Sequence, residues 1–167
     1  MLNLTIVNSS GAKVPRAFLQ NWVEQLFRLI EKSEKGAIPI ARLRDKDLVI
    51  AFLPKKEARK INLQFRGKDY ATDVLSFESD EPSSLGELVI CPEVIAKQAK
   101  EHGLLLREEL GYMVLHGILH LLGFDHEQSE REAKRMFELQ DRLFETLLDS
   151  GSHSKPKTAR KRPSKRS

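Results

Sequence analysis

A single-domain α+β fold, with a four-stranded sheet packed with about five helices, is predicted by three observations on the sequence. Four short runs alternate as strands do, longer segments carry helical spacing, and 167 residues with 40% hydrophobic content suffice for one core. Leu2 to Val7 alternate as an edge or half-buried strand. Pro15 opens an amphipathic helix to about Lys32, with Phe18, Trp22, Leu26 and Ile30 on one inward face. Asp47 to Leu53 reads as a second strand. A short helix then begins near Pro54, with Ala58, Ile61 and Leu63 placed to pack inward, and Arg66-Gly67-Lys68 is a loop. Thr72 to Phe77 is the third strand, Asp80 to Ser84 a turn, and Glu87 to Cys91 the fourth strand. Pro92 starts a helix, Leu104 to Leu122 forms the next between Gly103 and Gly123, and Ser129 caps the last. That last helix runs from Glu130 to about Leu148, with Ala133, Met136, Leu139, Leu143 and Leu147 inward. There is no internal repeat.

Charge divides the chain in two. The net charge of +4 conceals a stretch, Gly151 to Ser167, with seven Lys and Arg and no acidic residue, which leaves 21 basic against 24 acidic residues elsewhere. Pro156, Pro163 and four serines interrupt that stretch, so residues 1–150 are expected to fold and 151–167 to form a disordered basic tail. Such a tail can act as a phosphate-seeking arm or as a plain solvated extension. No apolar run is long enough for a bilayer, no signal pattern stands at Met1 to Thr5, and the lone Cys91 allows no internal disulfide. The expected compartment is the cytoplasm, with no membrane partner.

The segment His116-Gly117-Ile118-Leu119-His120-Leu121-Leu122-Gly123-Phe124-Asp125-His126 carries the chemistry. His116 and His120 are four residues apart, so on a helix they share a face at about 6 Å, close enough to hold one ion. Gly123 permits the positive φ that turns the chain back, allowing His126 to supply a third nitrogen. Three ligands leave one position open, as in a catalytic zinc site, whereas structural zinc is usually closed by four protein ligands. One zinc per chain is the expected cofactor.

Zinc proteases of the His-Glu-x-x-His type place a glutamate beside the first histidine as general base, and metzincins continue with the same Gly-x-x-His turn. Here that position is Gly117, which has no proton acceptor. The helix is metzincin-like in spacing, yet peptide hydrolysis is demoted, while a zinc-bound water with its pKa lowered to about 7 leaves other ester hydrolysis open.

Residues 1 to 150 resemble the YbeY endoribonucleases, also called rRNA maturation factors. Three ordered motifs carry the resemblance: His116 to His126, with Phe124 where the family has Tyr; Arg66 followed by Thr72-Asp73-Val74-Leu75-Ser76-Phe77; and, more loosely, Leu85-Gly86-Glu87-Leu88, with Glu87 where the family has Asp. The resemblance implies a mixed sheet and a zinc-dependent, single-strand-specific endoribonuclease. It further implies action on the 16S rRNA precursor in 3′-end maturation and ribosome quality control, with the small ribosomal subunit and its proteins as partners in a bacterial cytoplasm. Arg66 matches the family's active-site arginine, and a guanidinium there can hold the scissile phosphate bidentately. Lys68 is read as part of the same positive surface, Thr72 and Asp73 as mainly structural, and Asp125 as a turn-capping carboxylate that could also orient His126. Two other functions fit parts of the pattern: a non-catalytic ribosome-assembly factor with structural zinc, and a metallopeptidase.

Overall fold

The computed structural model describes residues 1–33, 38 and 42–151. Its elements, in chain order, are β1 (Asn3–Asn8), α1 (Arg16–Ser33), β2 (Asp47–Phe52), α2 (Lys55–Arg66), β3 (Val74–Glu78), β4 (Ser84–Ile90), α3 (Pro92–His102), α4 (Leu106–Leu121) and α5 (Glu130–Ser150). The basic tail expected over 151–167 lies, from residue 152 on, outside the described residues.

The sheet has the order β1-β2-β4-β3. β1 and β4 flank β2 in parallel, and β3 runs antiparallel to β4, so the sheet is mixed. Ser76 and Leu88 are register partners and both meet Gly117 of α4. Period-2 alternation then puts Leu48, Ile50, Leu88 and Ile90 on the α4 face, where all are fully buried. Eleven of the sixteen residues of α4 are buried, which makes it the central helix, enclosed by the sheet, α1, α3 and α5. Helix α1 crosses it at a close approach, where Trp22 Nε1 donates to the Gly111 carbonyl at 2.9 Å and a Cβ on Gly111 would meet the indole at 2.8 Å. Trp22, Leu26 and Ile30 are buried as their spacing predicts.

Several boundaries differ from the sequence reading. β4 begins at Ser84 rather than Glu87, because Gly86 sits inside the strand at φ 136° beside a register shift; a Cβ there would collide with the Phe77 carbonyl oxygen. β3 begins at Val74, since Asp73 is spent on other bonds: its Oδ1 accepts from the Val74 backbone at 2.8 Å and its Oδ2 from Gln98 Nε2 at 3.0 Å. In α2 the buried positions are Ala58 and Asn62, while Leu63 is exposed. Asn62 turns inward because its Nδ2 donates to the Tyr70 carbonyl at 2.8 Å, pinning the loop after the helix.

Candidate metal centre and cleft

Helix α4 ends in a way that both stops the helix and aims the third histidine. The Gly123 N–H bonds the His120 carbonyl at 2.9 Å, and the Phe124 N–H bonds the Leu119 carbonyl at 3.0 Å, the paired contacts of a Schellman motif. That motif requires a left-handed residue, and Gly123 supplies it at φ 99°. Arg42 Nη1 donates to the Leu122 carbonyl at 3.2 Å, placing positive charge at the negative end of the helix dipole. Asp125 Oδ1 then accepts from the Glu127 backbone at 2.8 Å, so this carboxylate shapes the turn. The chain folds back and the ring of His126 reaches 4.9 Å from that of His120 and 5.3 Å from that of His116, between centroids.

One ligand-capable nitrogen from each of the three histidines lies within 4.8 Å of the others, a cluster that can hold a metal ion. Its hydrogen bonds decide which nitrogens are available. His116 Nδ1 stands 2.8 Å from Gln140 Oε1; the carbonyl oxygen can only accept, so the proton is on Nδ1 and Nε2 carries a lone pair. The His120 ring turns its Nε2 toward His116, and the Phe124 backbone acts to raise the His120 pKa. The two Nε2 atoms face each other at 3.1 Å. That separation fits a shared cation, since tetrahedral zinc with bonds of about 2.0 Å sets two nitrogens roughly 3.3 Å apart. His126 Nδ1 is also buried without a hydrogen-bond partner among the described residues.

Burial, the largest influence, pushes His116 down to about 4, with the charges of His120 and His126 acting in the same direction and the Gln140 bond opposing them. His120 is lowered too, first by burial and then by His126, while Asp125 acts in the opposite sense. Neutral rings at pH 7 are the state a metal needs. The fourth histidine of this region goes elsewhere: His102 Nδ1 meets the buried Glu109 Oε2 at 2.9 Å and ties α3 to α4.

Gly117, at the metzincin base position, faces the sheet. A Cβ there would meet Leu88 Cδ2 at 2.7 Å, so glycine lets α4 lie close on β4, and its carbonyl accepts from Ser76 Oγ at 3.3 Å.

His120 also lines a cleft of about 240 Å³ together with Arg66, Ser76, Glu78, Gly123, Phe124, Asp125 and Gln128. Arg66 is close enough to lower the His120 pKa by charge. Among the described residues Arg66 forms no salt bridge, whereas Arg59, on the same helix, grips Asp69 through two nitrogens at 2.7 and 2.9 Å. The structure thus brings Arg66 to the histidine cluster; Lys68 is exposed and is not part of the cleft wall. A larger groove, of about 590 Å³, lies between β1 and α1, but its ionic groups are paired: Arg28 with Glu24, Arg44 with Glu31, the N-terminal amine with Asp45.

Sequence reading missed Gln140 and Phe137, which stand behind the histidine cluster. The Phe137 ring stacks at 21° and 6.1 Å on His116 and lies 5.5 Å from His126. A glutamine beside Leu139 on the inward face of α5 was the available signal.

Residues 5–148 match the sequence pattern of the family described as Endoribonuclease YbeY. The chain belongs to that family. The Endoribonuclease YbeY of Bdellovibrio bacteriovorus is 54% identical over 147 residues, covering 88% of this chain and 96% of that protein. That of Pseudomonas putida is 37% identical over 154 residues, covering 88% and 90%. A Thermotoga maritima protein known from a solution structure has a TM-score of 0.61 at 29% identity, covering 95% of this chain and 99% of that one. Membership in the YbeY family supports an endoribonuclease role, and the mixed sheet that the resemblance implied is the one observed. Among the described residues no helix is long and apolar enough to cross a membrane.

Proposed function

We propose that this chain is a zinc-dependent, single-strand-specific endoribonuclease acting in 16S rRNA 3′-end maturation and ribosome quality control, in the cytoplasm and at the small ribosomal subunit. The observation that carries the reading is the shared cleft: His120 of the three-histidine cluster and Arg66, which forms no salt bridge among the described residues, line the same small opening. His116, His120 and His126 would hold the zinc, which when bound supplies Lewis-acid chemistry at the phosphodiester. Arg66 binds the non-bridging oxygens of the scissile phosphate and offsets the charge that grows on them in the transition state. Gln140 keeps the His116 proton on Nδ1 and so keeps its Nε2 available. The peptidase alternative loses ground on geometry, since position 117 is packed against Leu88 and offers no room for a base.

The test is the distribution of 16S rRNA 3′ ends in cells lacking this protein, complemented with wild type or with Arg66→Ala. Wild type restores mature ends, and Arg66→Ala, folded, zinc-loaded and still associated with the small subunit, does not. Equal restoration by both would remove Arg66 from catalysis and favour a non-catalytic assembly factor.

A further inference from the structure

One residue along the chain from the cleft wall, an aromatic pair is left open. Ala58 and Asn62 form the buried stripe of α2, and Phe65 continues it at helical spacing, yet Phe65 stays 61% exposed. Its ring meets Phe77 edge to face, with centroids 5.1 Å apart and planes at 73°. Phe65 immediately precedes Arg66, and Phe77 lies between Ser76 and Glu78; these three neighbours line the cleft, and alternation along β3 turns the Phe77 ring to the other face of that strand. β3, which carries Phe77, is the outer strand of the sheet.

Outside the stretch 151–167 the chain has 21 basic and 24 acidic residues, so overall charge does not draw a strand of phosphates to this region. A local device is needed, and an exposed ring one residue from a guanidinium that forms no salt bridge among the described residues matches the two halves of a nucleotide: a base to stack and a phosphate to hold. A protein partner fits less well. Stable protein contacts bury on the order of 800 Å² per side, whereas here the exposed Phe65 is adjoined by charged Arg66 and the exposed Lys68.

We propose that Phe65, braced by Phe77, is a stacking platform for one unpaired base of the RNA strand whose phosphate Arg66 holds. The inference rests on the nuclease reading of the cleft and adds a substrate-binding subsite to it. A base inside a duplex already has both faces stacked, so this platform favours unpaired RNA and tolerates any base.

The test measures binding rather than cleavage. The metal-loaded full chain is titrated against a fluorescent single-stranded oligonucleotide with methylated ribose 2′-oxygens, and against versions carrying an abasic position moved along the strand. Phe65→Ala weakens binding of the intact strand about 5- to 100-fold. At one position the abasic lesion costs the wild type a similar factor and costs Phe65→Ala nothing further. Unchanged affinity in Phe65→Ala, or equal losses for every lesion, overturns the proposal. Phe65→Trp guards against a folding defect: it retains affinity, and its indole emission is quenched by RNA against the constant signal of Trp22, which is 4% exposed. An unquenched indole also overturns it. Strands that bind through Phe65 but are never cut when unmethylated would sink the nuclease reading and leave the platform standing, whereas cutting indifferent to Phe65 would do the reverse.

Discussion

The two sides of the histidine cluster are built differently. On the helix side, His116 is fixed by the Gln140 bond and the face of Phe137, and α4 sets its distance from His120 through the spacing of one turn. On the turn side, His126 depends on Gly123, the Asp125 turn and the start of α5, and its Nδ1 has no partner among the described residues. The helix side is held by contacts from α5, and the turn side by the local path of the chain. A metal held by all three histidines would add its binding free energy to the stability of both sides.

The largest expected effect comes from removing ligands. His116→Ala should lower zinc affinity by more than ~100-fold, beyond what losing a supporting residue costs, and His126→Ala should lower it less. Zinc competition titrations with a chromophoric chelator decide this; equal losses would break the contrast between the two sides. Arg66→Ala should reduce cleavage about 100- to 1,000-fold with zinc content unchanged, measured on a single-stranded RNA. A parallel loss of zinc would show that Arg66 supports the metal site rather than the phosphate.

A third expectation concerns pH and the metal-free protein. Above the ordinary value of 6.5, His116 is neutral both folded and unfolded and contributes no pH dependence. As pH falls below 6.5 the unfolded chain takes up a proton that the native ring refuses until about 4, so stability drops across that window. The loss approaches about 3 kcal/mol at its lower end, and denaturant melts of the stripped protein should show it. Replacing His116 with phenylalanine should flatten this slope; a slope that persists would place the sensitivity in other groups.

Gln140→Leu tests the support of the helix side directly. Loss of the Nδ1 partner should weaken zinc binding about 10- to 100-fold while the fold persists. The smallest effect belongs to the sheet contact under the cluster: Gly117→Ala should destabilise the protein by about 1–3 kcal/mol, because the added methyl meets Leu88. Thermal melts measure it, and an unchanged midpoint would mean that α4 can lift without cost.

The same contrast explains what was legible before any coordinates. Spacing of four residues on a helix and a glycine at its exit are local facts, so the histidine cluster could be read directly from His116 to His126. Most of the inward stripe of α5 was equally local, because helical period and burial coincide at Met136, Leu139, Leu143 and Leu147. Leu63 was placed inward by the same logic and is exposed, since Asn62 takes the buried position by bonding the Tyr70 carbonyl, a partner eight residues away. Gly86 blurred the start of β4 because its conformation answers to Phe77 on the neighbouring strand.

By itself, then, the sequence determined the α+β class, the central apolar helix, the three histidines and the motif that pointed to the YbeY family, all of which depend on residues near one another in the chain. Tertiary structure alone decided that Gln140 and Phe137 stand behind His116, that Gly117 faces Leu88, that Arg66 reaches the cleft beside His120, and that Phe65 meets Phe77. Each of those contacts joins segments that approach only when the sheet and helices pack. Spacing along the chain sets which side chains share one element's face, and packing between elements sets what that face meets.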